Sequence, residues 1–414
     1  MISFVSTYPP IICGIGTYTK YLVSHLSKSR YRVISFKLDD CFLALEDQYP
    51  PPDEQVDYCL SYPPCSFGAN LKGKLIWFQH SFGIWGEIDY QFLALIKEAK
   101  RKKKSVGVSF HTIHFQAEKT SSGMTKREFE ILGKTLPLVD FLTVFTDGAY
   151  RAVVKAFPQY EERVVVLRHG VHLYPKVNRY DARKEFFSYL INQAEITPSQ
   201  KKELCKLEDN LHSKHTILLG NYGFINLEKE PLRLYELGAL VQEKLPQCQV
   251  IKIFAGIIQN EREKNIIGYY TLLEELKSIH NGKENLFFEI YIPEAFYHLA
   301  FDALDFSPFW SRDLTQSGRM AHAQGTGTCV VGSHWEGIGE TLKQSGLPVA
   351  KTLEELAERI VELVLEPGRK EQILAQSWEY ALRFSFANQA KKHLLIENSL
   401  REGAEMPLVD RMSS

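Results

Sequence analysis

The sequence predicts an α/β protein made of two successive doubly wound domains, and three observations predict it. Short apolar, β-rich runs alternate with helical patterns along nearly the whole chain, as expected of parallel sheets with helices on both faces. The alternation comes in two series, separated by a polar, charged stretch of helical texture. The chain has 414 residues, too many for one ordinary core.

The first series opens with strand candidates Ile2–Val5, Tyr31–Phe36, Val56–Ser61, Lys74–Gln79, Val106–His111, Phe141–Phe145 and Val164–Arg168. Helical patterns at 17–27, 88–101 and 148–156 lie between them. This gives a first domain over 1–175. Residues 176–213 (Arg183-Lys184-Glu185-Phe186-Phe187, then Pro198 opening another helix) read as a helical connector. The second series is Thr216–Gly220, Val250–Phe254, Leu286–Tyr291, Asp305–Phe309 and Thr328–Gly332, with helices near 230–244, 267–279, 316–325 and 353–364. It makes a second domain over 214–379. A last helical pattern covers 370–400, and the polar segment 406–414 reads as a flexible tail. Two such domains are expected to face each other across a cleft at the carboxyl ends of their strands.

Composition narrows the class. Lys and Arg number 49 against 50 Asp and Glu, and 44% of residues are hydrophobic. That argues against disorder and gives no reason to expect nucleic acid. The seven cysteines are scattered with no CxxC pair, so neither a zinc site nor a disulfide framework is expected, and a reducing, cytoplasmic setting fits. No signal peptide and no membrane span are expected. The basic run Lys100–Lys104 reads either as a solvated helix end or as a peripheral contact with an anionic inner membrane face.

The first domain carries three motifs. Cys13-Gly14-Ile15-Gly16 follows the first strand and leads into a helix, an order that lets backbone N–H groups approach a phosphate. The third glycine of a dinucleotide fingerprint is replaced by Thr19, although Asp39 and Asp40 follow the second strand. A nicotinamide oxidoreductase and a plain βα turn both stay open. In Gln79-His80-Ser81-Phe82-Gly83-Ile84-Trp85-Gly86, His80 reads as a polar contact in a cleft or as a packed loop histidine. His111 and His114 are three apart at a strand end with no neighbouring carboxylate or cysteine. Hydrogen bonding at the sheet edge suits them better than a metal.

In the second domain, Lys229 lies in the loop after Asn221-Tyr222-Gly223-Phe224. It reads as a point charge for a phosphate or as an ordinary surface lysine. Asp313-Leu314-Thr315-Gln316-Ser317-Gly318-Arg319 leads into a helix of small residues, and Ser-Gly at a helix start with a basic residue is an anion site. Gly327–Ser333 reads as a buried strand ending in Trp335-Glu336-Gly337-Ile338-Gly339-Glu340.

Taken together, these motifs resemble retaining glycosyltransferases of the GT-B fold, family 4, also called glycosyltransferase group 1. The loop from Tyr8-Pro9-Pro10 to Gly16 is similar to that family's opening loop. The segments Gln79–Gly86, Phe110-His111-Thr112, His169-Gly170-Val171, Gly327–Val331 and Gly337–Glu340 are similar in order, and Ser385-Phe386 resembles the point where a helix of about 380–400 crosses back to the first domain. Two departures stand out. The family's glutamate pair falls on Leu314 and His322, and its arginine after the loop glycine is Phe224, while its lysine survives as Lys229.

The resemblance implies two Rossmann-like domains and transfer of a sugar, without metal or cofactor, from a nucleoside-diphosphate sugar, UDP favoured. The acceptor is then a saccharide, glycoconjugate or lipid-linked glycan, in polysaccharide or envelope glycan biosynthesis. It implies a front-face retaining reaction with no protein nucleophile. His111, Lys229 and Arg319 take catalytic roles, with Arg319 supplying the cation lost at Phe224. Gly14, Gly16, Asp313, Ser317, Gly318, His322 and Glu340 bind the donor, while His80 and Gly83 lie on the acceptor side. Loops 39–55 and 115–130 shape the acceptor site. The competing readings are a non-catalytic sugar-nucleotide-binding protein, a sugar-nucleotide epimerase and an NAD-dependent oxidoreductase.

Overall fold

The computed structural model describes residues 1–41, 53–68, 71–86, 90–211, 213, 215–259 and 266–411. Most of the 39–55 loop, the end of the tail and the start of the helix expected at 88–101 lie outside the described residues. The chain divides into two compact units: Met1–Gly170 with Phe384–Ser414, and Val171–Arg383.

The first unit contains β1 (Ile2–Val5), β2 (Tyr31–Phe36), β3 (Val56–Leu60), β4 (Leu75–His80), β5 (Ser105–Phe110), β6 (Phe141–Val144) and β7 (Val164–Val166). They form one parallel sheet in the order β3-β2-β1-β4-β5-β6-β7. Both faces are covered. Ile76 and Phe78 of β4 enter one apolar cluster, and Leu75 and Trp77 enter the other. This two-sided burial is why the strands read as continuous apolar runs. Trp77 ties three strands together. Its indole N–H donates to Ser109 Oγ at 2.8 Å, and Thr143 Oγ1 donates to the same oxygen at 2.7 Å.

The second unit contains β8 (Thr216–Tyr222), β9 (Gln249–Ala255), β10 (Asn285–Phe288), β11 (Phe306–Phe309), β12 (Cys329–Ser333) and the short β13 (Val349–Ala350), in the order β10-β9-β8-β11-β12-β13. In each sheet the order reverses beside the first strand, between β1 and β4 and between β8 and β11. At such a reversal the crossovers leave on opposite faces, and the loops at the carboxyl ends part into a crevice.

Several elements differ from expectation. The connector is two helices, Arg179–Asn192 and Pro198–Leu211, whose Phe186, Leu190 and Leu204 enter the second unit's core. Its charge is absorbed internally: Arg183 donates to Ala303 O, Leu211 O and the Asp305 carboxylate. The final helix is interrupted, giving Pro367–Arg383 and then Phe386–Glu402, with Ser385 capping the second piece. Helices Lys126–Thr135, Glu294–Asp302 and Glu336–Gln344 appear where none was expected. The first of them starts within the expected 115–130 loop, from a reciprocal Thr125/Glu128 capping box.

The basic run at 100–104 is largely engaged by the unit itself. Lys100 reaches both Asp140 oxygens at 2.9 Å, Lys102 pairs with Glu98, and Lys104 donates to Gly73 O. No described helix is long and apolar enough to cross a membrane.

The tail also differs from a flexible segment as far as it is described. Asp410 is 1% exposed, accepts from the Arg168 and Gln389 N–H groups at 2.8 and 3.1 Å, and pairs with Lys392. The tail's polarity satisfies a buried network. Removing this carboxylate leaves Lys392 and the Arg168 amide without their acceptor. Asp410→Ala is therefore expected to destabilise the protein by about 3 kcal/mol. A lower urea midpoint checks it; an unchanged midpoint would mean that the tail contributes nothing to stability.

Candidate functional site

In the first unit the glycine turn is the first turn of a helix, Gly14–Val23, and not a turn ahead of it. A Cβ at Gly16 would lie 3.2 Å from the Thr7 carbonyl and the Tyr8 nitrogen, so the loop after β1 crosses this helix too closely for a side chain. A Cβ at Gly14 would meet no described atom within 4 Å. Its face of the helix start is open.

His111 follows β5 and is 7% exposed. Its Nε2 donates to Gln79 Oε1 at 2.7 Å, and its ring stands edge-on to Tyr18 at 4.8 Å and to Phe145 at 4.7 Å. Burial, then His169 and His80, holds its pKa well below the ordinary 6.5. The ring is neutral, and with Nε2 as donor its Nδ1 has acceptor character. His80 points to the other face of the sheet. It is fully buried among the rings of Phe82, Phe92 and Phe110, and neither ring nitrogen has a hydrogen-bond partner among the described residues. Of its two sequence readings, the structure shows the packed histidine. Burial, with Arg127 nearby, pushes its pKa down to about 3. Gly83 has a φ of 91°, and its carbonyl accepts from Tyr62 OH at 3.0 Å.

His114 does have a carboxylate companion. Its Nδ1 lies 2.6 Å from Glu128, whose side chain also accepts the His114 and Thr125 amides. Sequence distance hid this pair, because the helix at Lys126–Thr135 folds Glu128 back. Among the described residues no group of three or more His, Cys, Asp or Glu could hold a metal ion.

The crevice of the second unit's sheet holds a small pocket, open to solvent. Asn221 and Pro308 line it from β8 and β11, Lys229 and Trp310 from the loops after them, and Arg319 from the helix Gly318–Thr326. Lys229 donates to Phe224 O at 3.4 Å, with its ammonium 5.8 Å from the Phe224 ring. The next residue, Glu230, is held in the left-handed region (φ 41°) and bonds Arg233 at 3.1 Å. Such a conformation costs a non-glycine residue roughly 1 kcal/mol or more and persists where the surroundings enforce it.

Arg319 is half-buried. Its Nη1 donates to Asn221 Oδ1 at 3.2 Å, and its Nε has no hydrogen-bond partner among the described residues. Its guanidinium lies 5.5 Å from the Phe309 ring centroid. Burial draws its pKa down to about 10, which leaves it charged at neutral pH. A Cβ on Gly223 (φ 122°) would lie 2.7 Å from Arg319 Cδ, so glycine is needed where the arginine passes over the end of β8.

The other donor-side residues take different places. Ser317 uses its hydroxyl to accept from Met320 N and cap the helix. Gly318 is the first helical residue, and a Cβ there would meet no described atom within 4 Å. His322 is 8% exposed, stacks on His172 at 3.6 Å and shares a 2.5 Å hydrogen bond with Tyr174 OH. Asp313 is exposed, and Glu340 accepts from Gln344 along its own helix. None of these five lines the pocket with Lys229 and Arg319. Sequence reasoning passed over Asn221 and Trp310 as site residues. The glycine two positions after Asn221 was the available signal for close approach there.

No protein-family model matches the sequence, and no curated protein matches it. Solved structures do. The Anabaena Alr3699/HepE structure in complex with UDP and glucose is 15% identical, covers 96% of this chain and 99% of its own, and has a TM-score of 0.64. Trehalose-6-phosphate synthase OtsA is 12% identical over 95% of this chain and 98% of its own, with a TM-score of 0.64. The Burkholderia multivorans α,α-trehalose 6-phosphate synthase is 11% identical over 97% of each chain, with a TM-score of 0.66. The chain has the GT-B fold. Within a GT-B fold, each unit's strand-order reversal is where ligand chemistry is sought, and the pocket of Lys229 and Arg319 sits at one of them.

The buried histidines give this fold a pH signature. Burial pushes His80 down to about 3 and His169 and His393 down to about 4. All three stay neutral in the folded first unit but take protons in the unfolded chain below about 6.5. The stability they carry is present above that value and is lost as pH falls toward 4. Urea midpoints measured at about pH 7 and about pH 4.5 are expected to show this loss, and His80→Phe to reduce it. An equal pH dependence in the variant would exclude His80 as a source.

Proposed function

We propose that the protein is a glycosyltransferase that uses a nucleoside-diphosphate sugar, with a UDP-sugar as donor. The observation that carries this reading is that Lys229 and Arg319 line one pocket at the strand-order reversal of the second unit, where the neighbouring Arg233 is already paired with Glu230. The helix start at Gly318 adds backbone N–H groups close in sequence. Similarity over nearly the full length to a structure described in complex with UDP and glucose supports the choice of donor.

The chemistry follows from charge. As the glycosidic bond to the phosphate lengthens, negative charge builds on the leaving diphosphate. Preorganised donors aimed at that charge are commonly the largest catalytic contribution, worth roughly 2.7–4 kcal/mol each. Lys229 supplies a compact ammonium and Arg319 a planar guanidinium. His111, neutral and anchored by Gln79, suits a substrate hydroxyl better than an anion. We assign the reaction to the retaining, metal-independent type of family 4, with a saccharide or lipid-linked acceptor in polysaccharide or envelope glycan biosynthesis, on the cytoplasmic side. One observation favours a second reading, a non-catalytic sugar-nucleotide-binding protein. His322, at the position of the second family glutamate, is engaged by His172 and Tyr174.

Calorimetry with UDP, GDP, ADP and UDP-glucose, followed by a UDP-release assay with candidate acceptors, separates these readings. UDP binding without UDP release favours the binding protein; no nucleotide binding sinks both. Lys229→Ala is expected to lower turnover about 100-fold. Gly318→Ala is a second probe. Its methyl meets no described protein atom within 4 Å, so melting should be unchanged while UDP affinity falls. Unchanged UDP affinity in Gly318→Ala would remove the helix start from the site.

A further inference from the structure

Arg319 pairs with no carboxylate among the described residues, and its hydrogen-bond partner is a neutral amide. The Asn221 amide makes three hydrogen bonds. Its Oδ1 accepts from Arg319 Nη1 at 3.2 Å and from Tyr222 N at 2.9 Å, and its Nδ2 donates to Pro308 O at 2.7 Å. It is 7% exposed and bridges the ends of β8 and β11. Burial draws the pKa of Arg319 down, with the Tyr297 hydroxyl opposing. Its Nε is buried and unpartnered among the described residues. A carboxylate in place of the amide would hold the guanidinium more strongly, at the cost of cancelling its charge.

We propose that Asn221 is a positioning residue that fixes Arg319 over Gly223 while leaving its charge free for a diphosphate. The proposal rests on the phosphate reading of the pocket and adds the reason for an amide at this position. Asparagine sets where the cation points; its neutrality sets what the cation can bind. The same side chain stitches the two strands whose separation opens the crevice, so the orientation of Arg319 is locked to the strand ends.

The test uses inorganic pyrophosphate and UDP as probes in calorimetry on the full chain, with thermal melts as the fold control. Wild-type protein is expected to bind both. Asn221→Asp is expected to weaken pyrophosphate binding by about tenfold or more, comparable to Arg319→Ala, and to flatten its salt dependence. In the Arg319→Ala background Asn221→Asp should cause no further loss, because the two act through one group. Where Asn221→Asp does not fold, Asn221→Ser reads the same coupling, since its shorter hydroxyl does not span to the guanidinium. It should lower affinity in the wild-type background and leave it unchanged without Arg319. Pyrophosphate binding with this coupling, but no UDP binding, keeps the proposal and removes the glycosyltransferase reading. Wild-type protein that binds neither probe, variants that bind as wild type does, or losses that multiply in the double variant overturn it.

Discussion

Arg319 keeps its charge without an acid, and much of the second unit's geometry follows from that constraint. The guanidinium needs a path across the end of β8, and Gly223 provides it by having no Cβ. It needs an acceptor that leaves its charge intact, and Asn221 is one. It needs a place where removing water does not remove the proton. Burial lowers its pKa only to about 10, so the cation survives at neutral pH. These requirements meet at the reversal of strand order, because only there do two adjacent loops diverge and leave room between them.

Other buried and half-buried basic groups show why this arrangement is informative. Arg168 pairs with Asp147, Arg183 with Asp305 and Lys392 with Asp410. Taking an ion out of water costs several kcal/mol, and a facing carboxylate with good geometry is the usual compensation. The chain uses that compensation at each of these structural sites and withholds it from Arg319. A fold that can place carboxylates beside its cations, and places an amide beside this one, leaves a charge for something outside the chain.

Much of the strand pattern was legible because strands buried on both faces leave continuous apolar runs; twelve of the strands were read near their true bounds. What escaped detection was structure defined by distant partners. The connector's charged texture concealed Arg183, whose acceptors lie more than 25 positions away along the chain. The tail looked disordered because nothing near it in sequence announces that Asp410 receives an amide from Arg168. His80 looked like a cleft residue because its aromatic cage is assembled from β5 and the helix Tyr90–Arg101. The second-unit pocket was half legible. Lys229 and Arg319 stood out by charge, whereas Asn221 is an ordinary residue until its three hydrogen bonds are seen.

The two units also differ in the kind of polar group they present at the carboxyl edge of the sheet. In the second unit the edge carries permanent cations. In the first, beside the Arg168–Asp147 ion pair, it carries neutral groups: His111 bonded to Gln79, with the Tyr18 ring of the first helix against it, and His169 held uncharged by burial. Neutral donors and acceptors in a low dielectric discriminate hydroxyl groups by hydrogen-bond geometry, because a mismatched buried polar group is costly to leave unpaired. Fixed cations discriminate by charge and tolerate variation in shape. Each kind here belongs to a separate compact unit with its own core, so either can change by substitution at one sheet edge without disturbing the core of the other.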